Sequence, residues 1–100
     1  MILPKVLFID DDPDVLEQMK LSLQGKYNNL EFEIDWQQGI KSVEGDPHAY
    51  SLVFVDHQHV NALGLLEARG PFIANKIKCA NPEIKVVILS GDRTERALTS

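Results

Sequence analysis

Four consecutive apolar residues, Val6, Leu7, Phe8 and Ile9, run directly into Asp10, Asp11, Asp12 and Pro13. An unbroken apolar run of this length suits a strand buried on both faces of a parallel sheet. Asp12 is a strong N-cap and Pro13 fits a first helical position, so a helix is expected where the strand stops. Asp10 and Asp11 are then left at the carboxyl end of a central strand, where open α/β sheets place their ligands. Three adjacent carboxylates repel one another, and such a group usually holds a cation, a shared proton or solvent.

Two further runs repeat the pattern. Leu52, Val53, Phe54 and Val55 are closed by Asp56, and Val86, Val87, Ile88 and Leu89 end in Ser90 and Gly91. Between the first two runs, residues 13–24 carry Leu16, Met19 and Leu23 at helical spacing, with Gly25 as a stop. Residues 30–36 alternate Leu30, Phe32, Ile34 and Trp36 with Glu31, Glu33 and Asp35. This predicts a half-buried strand whose acidic row discourages further pairing at a sheet edge. Trp36 is read as core or edge packing. A short helix over residues 37–44, with Ile40 and Val43 inward, is ended by Gly45, Asp46 and Pro47.

After Asp56 comes a polar loop with His57, His59 and Asn61, and then a helical turn is expected over residues 62–68. Gly70 and Pro71 open a helix with Phe72, Ile73, Ile77 and Ala80 on one side, stopped by Asn81 and Pro82. Asp92 and Glu95 resemble a capping box, so a last helix begins near Arg93. The order βαβαβαβα predicts an α/β fold, an open parallel sheet with helices on both faces.

One hundred residues suffice for one domain with a modest core. A net charge of -5 and a pI near 5.0 argue against nucleic-acid binding by this segment. No apolar run approaches the roughly 20 residues of a membrane span, and no signal sequence opens the chain. The single Cys79 can make no internal disulfide and reads as packing or surface. These features lead us to expect a cytoplasmic protein. His57-Gln58-His59 could ligate a transition metal, but without a further clustered His or Cys a surface loop is the better reading.

Neighbouring parallel strands lie about 4.8 Å apart, so the tips of the three runs could bring Asp10, Asp11, Asp56 and Ser90 into one crevice. Hard oxygen donors of this kind suit Mg²⁺. At this point the chain resembles the receiver domain of bacterial two-component response regulators. The resemblance is carried by VLFIDDDP at residues 6–13, LVFVD at 52–56 and NPEIKVVILSG at 81–91, with the spacing between them. It implies a flavodoxin-like sheet with strand order 2-1-3-4. It also implies Asp10 and Asp11 as a Mg²⁺-binding pair and Asp56 as phosphoacceptor and further ligand. The backbone carbonyl of Gln58 would be another metal ligand, and Ser90 the switch hydroxyl. The implied partner is a histidine kinase or phosphotransfer protein.

The chain departs from that pattern in three places. His59 and Val60 stand where the family has Met-Pro. Aligned backwards from Pro82, Gly70 matches the family's helix-opening glycine and the loop after Asp56 is enlarged; aligned forwards, Gly64 takes that place. The fifth strand and helix, with a lysine that pairs with the phosphoryl group and an aromatic switch residue, have no counterpart. The expectation is one receiver domain over residues 1–100, cut within its fourth helix. Its apolar final strand would then be an open edge that favours a homodimer or an exchanged segment.

Two other functions compete. A degenerate receiver would act as a phosphorylation-independent binding or dimerisation module, favoured by the missing lysine and the altered loop. A haloacid dehalogenase-like phosphatase would use Asp10 as nucleophile and Asp12 as acid/base, since Asp10-Asp11-Asp12 satisfies Asp-x-Asp after a strand. That reading leaves Asp56 unexplained.

Overall fold

The computed structural model describes residues 4–23, 25–60 and 63–89. Within it, β1 (Lys5–Ile9) lies between β2 (Leu30–Glu33) and β3 (Tyr50–Asp56). With β6 (Lys85–Leu89) these form a parallel sheet ordered β2-β1-β3-β6. This is the expected 2-1-3-4 order, once a separate two-stranded antiparallel ribbon, β4 (Gln58–Val60) with β5 (Leu66–Ala68), is left out of the count. Among the described residues three α-helices join the strands: α1 (Pro13–Leu23), α2 (Trp36–Gly45) and α3 (Gly70–Ala80).

The alternation of side chains along the strands divides the apolar residues between two faces. Leu7, Ile9, Val53 and Val55 share one core with Ile40 and Val43 of α2 and with Ile73 and Ile77 of α3. Burial of each such side chain contributes roughly 1.5–3 kcal/mol relative to exposure. On the opposite face Phe8 stacks between Phe32 at 5.1 Å and Phe54 at 4.9 Å, its direct neighbours in register. There α1 provides the cover: Leu16 is buried, and the Lys20 ammonium lies 5.7 Å from the Phe32 ring centre. One helix on one face and two on the other give the doubly wound arrangement predicted from the sequence.

Close approach explains two glycines. A Cβ at Gly39 would stand 2.6 Å from Ile9 Cδ1, so glycine lets α2 lie directly on β1. A Cβ at Gly70 would meet Ile88 Cγ2 at 2.8 Å and the His57 backbone Cα at 3.0 Å, so α3 can start tight against β3 and β6 only with glycine there.

Two elements differ from the sequence reading. The second strand ends at Glu33, and Trp36 opens α2, because Asp35 accepts the Gln37 N–H at 2.9 Å and caps the helix. Alternation continued past the strand, but the capping aspartate decides where the backbone turns. Within the helical turn expected over residues 62–68, Leu66–Ala68 is instead the strand β5, with Leu66 opposite Val60 and Ala68 opposite Gln58. Leu, Glu and Ala favour helix locally, yet Gly64 adopts φ +80° and the pairing with β4 overrides that propensity. The helix expected near Arg93 lies outside the described residues.

Candidate functional site

The backbone at the end of β1 is set by short-range hydrogen bonds. The Asp12 N–H donates to Asp10 Oδ1 at 2.9 Å, and the Asp14 N–H donates to Asp12 Oδ1 at 2.9 Å. Asp12 is therefore the cap of α1, and Asp10 and Asp11 lie in the turn before it. Asp56 ends β3, the neighbouring strand, in register just beyond the Ile9–Val55 pair.

This parallel register brings the three acids together. Asp10, Asp11 and Asp56 each offer a carboxylate oxygen, and these oxygens all lie within 4.8 Å of one another. Asp10 and Asp56 are buried, at 4% and 7% exposure, and Asp11 is half-buried. Buried carboxylates at this separation need compensation, because desolvation and mutual repulsion both oppose their charges. Three hard oxygen donors converging from two strand ends match the donor set that Mg²⁺ prefers.

The β4–β5 hairpin follows Asp56 directly in the chain. The His57 N–H donates to the Leu89 carbonyl at 2.8 Å, tying the residue after Asp56 to the end of β6. The His57 carbonyl in turn accepts from Arg69 at 2.9 Å and from Gly70 at 3.0 Å. The single Arg69 N–H to His57 carbonyl bond is the first rung of the ribbon. Alternation along an antiparallel ribbon then makes Gln58 opposite Ala68 a non-bonded pair, with the Gln58 carbonyl turned away from β5. Gly70 opens α3, which agrees with the alignment that enlarges the loop after Asp56. Ser90 lies outside the described residues; Leu89, just before it, is opposite Asp56.

No protein-family model matches the chain, and no curated protein matches it significantly. Solved structures do. A response regulator receiver domain protein from Clostridium thermocellum superposes with a TM-score of 0.68 at 22% identity, over 88% of this chain and 65% of its own. The signal receiver domain of an HD domain-containing protein from Pseudomonas fluorescens Pf-5 gives 0.70 at 20% identity, over 97% of this chain and 71% of its own. The fold is that of a receiver domain. The N-terminal domain of an uncharacterized protein from Wolinella succinogenes is similarly close, with a TM-score of 0.68 at 20% identity, over 91% and 68% of the two chains. The chain thus spans about two thirds of the length of these solved chains.

Within this receiver fold, sequence reasoning missed the hairpin root. His57 was read as part of a polar surface loop, in preference to a transition-metal ligand, and Arg69 not at all. Arg69 stacks on the Trp36 ring at 4.8 Å and is ion-paired with Glu67, so the hairpin is fastened to α2 as well as to β6. The Arg-Gly-Pro order before the helix was the available signal. It marks the helix start but not what the arginine reaches.

Proposed function

We propose that the chain is a phosphoacceptor signalling module that takes a phosphoryl group onto Asp56 and changes its surface in response. The observation that carries this reading is the approach of the Asp10, Asp11 and Asp56 carboxylate oxygens to within 4.8 Å on a receiver fold. Asp10, Asp11, Asp56 and the Gln58 carbonyl would hold Mg²⁺. When bound, that ion neutralises carboxylate and phosphoryl charge, which lets a weak carboxylate nucleophile react. An Asp56 oxygen attacks phosphorus while the bond from phosphorus to the donor's leaving atom breaks, and that bond's electron pair leaves with the donor. Asp10 and Asp11 fix the geometry from the neighbouring strand, and positioning is most of what such a transfer requires. Ser90, which follows β6 in sequence, would donate to the new phosphoryl oxygens. The phosphodonor would be a histidine kinase or phosphotransfer protein in the cytoplasm.

The residues 1–100 would act as one receiver unit, and a homodimer through the β6 end would cover Ile88, which is 41% exposed. Sedimentation velocity tests this: a monomer at micromolar concentration counts against it.

The test of the main reading is incubation with acetyl phosphate and Mg²⁺, followed by intact mass. One added phosphoryl group is expected, and Asp56→Asn should abolish it. Labelling lost instead on Asp10→Asn, with catalytic phosphate release from substrates, would favour the phosphatase. Against that alternative, Asp12 caps α1. Absence of any adduct would favour the phosphorylation-independent binding module, the reading that the replacement of the usual loop by a hairpin supports.

A further inference from the structure

A groove of about 350 Å³ runs between α2 and α3, lined by Trp36, Gln37, Ile40, Lys41, Glu44, Phe72 and Lys76. Its floor is aromatic and aliphatic. Trp36 and Phe72 meet edge to face at 5.8 Å, and Phe72 is 47% exposed although it is a large apolar side chain. The Lys76 ammonium lies 5.6 Å from the Phe72 ring centre, and Arg69 covers Trp36 from the hairpin side. Two lysines against one glutamate give the lining a positive balance, on a chain whose net charge is -5.

An exposed phenylalanine against a half-buried tryptophan, with cations beside both, is the composition of an interface centre rather than of a solvated helix face. A groove between two helices suits an amphipathic helix that inserts apolar residues at i, i+3 or i+4, and i+7. The local charge selects among such helices, because like charges across an interface are disfavoured and opposite charges steer encounter. We propose that the α2–α3 groove docks an acidic amphipathic helix of a partner protein, with its apolar side chains on Trp36 and Phe72 and its carboxylates facing Lys41 and Lys76. This proposal does not depend on phosphorylation of Asp56. The site is connected to that residue all the same: Arg69, stacked on Trp36, also donates its N–H to the carbonyl of His57, the residue after Asp56.

Trp36 is the only tryptophan, so its fluorescence reports on the groove directly. The probes are two synthetic amphipathic peptides of about four helical turns with the same Leu/Phe face, one carrying glutamate and the other lysine on the polar face. The glutamate peptide is expected to shift Trp36 emission saturably and to bind at least roughly tenfold more tightly than the lysine peptide. The chain with Lys41→Glu and Lys76→Glu together, both exposed positions, should fold normally by circular dichroism and reverse that preference. Absence of a saturable change at millimolar peptide overturns the proposal. So does equal binding of both peptides, or a groove already covered by a second copy of the chain, seen as a dimer that the double variant dissociates.

Discussion

At the amino end of the parallel sheet, Glu31 accepts the Tyr50 hydroxyl at 2.7 Å and lies 3.6 Å from the Lys5 ammonium. One carboxylate there meets a phenol and a cation. At the carboxyl end of the same strands, Asp10, Asp11 and Asp56 bring three carboxylate oxygens within 4.8 Å of one another. The first arrangement stabilises the folded chain from its own residues. The second gathers three carboxylates, two of them buried, at one point. A single sheet thus separates an end where a carboxylate meets a phenol and a cation from an end where carboxylates meet one another, the one proposed above as the binding end.

Four experiments break or sharpen that contrast. The largest effect is expected at Gly70, where an added Cβ would meet backbone as well as a side chain. Gly70→Ala forces a methyl group against His57 backbone and Ile88, and should cost about 1–3 kcal/mol in urea unfolding. An unchanged midpoint would mean that α3 is not wedged against the strand ends. Next is the cation itself. At ten times its dissociation constant Mg²⁺ should raise the unfolding free energy by about 1.4 kcal/mol. That increment should disappear in Asp10→Asn and persist in Glu31→Gln; the opposite outcome would reverse the assignment of the two ends.

Tyr50→Phe comes third and should lower stability by about 1 kcal/mol at neutral pH. Burial, then the hydrogen bond and charge of Glu31, hold the Tyr50 phenol above its ordinary pKa of 10.0. Folding therefore favours the protonated phenol. This contribution is whole below about pH 10 and is lost as pH rises beyond it, so wild type should lose stability in alkali more steeply than Tyr50→Phe. Parallel slopes would remove Tyr50 from the account. The smallest effect is expected from Lys5→Met, below about 0.5 kcal/mol, because both partners of the Lys5–Glu31 pair are well exposed. A larger loss would mean that the amino end depends on that ion pair.

The binding end was the more legible of the two in sequence. Continuous apolar runs fix buried parallel strands, and residues closing such runs must emerge at the same edge, so Asp10, Asp11 and Asp56 could be grouped before any coordinates. The Tyr50–Glu31 contact joins residues 19 positions apart on two strands that are not neighbours, and no local pattern announces it. Asp35 was read as part of the acidic row of a strand, because the alternation through Ile34 and Trp36 masks its role as the cap of α2. The hairpin was hidden for a different reason. Each arm has three residues, too few for a period to emerge, and Leu66, Glu67 and Ala68 have helical preferences that only pairing with β4 overrides.

The contrast between the two ends is tested most directly by titrating Mn²⁺ into isotopically labelled protein and following paramagnetic broadening of backbone amide signals. The account predicts that broadening begins at Asp10, Asp11, Asp12, Asp56 and His57, is reversed by excess Mg²⁺, and leaves Glu31, Glu33 and Tyr50 sharp. Broadening that begins along the acidic row of β2, or spreads evenly over the surface acids, would contradict it.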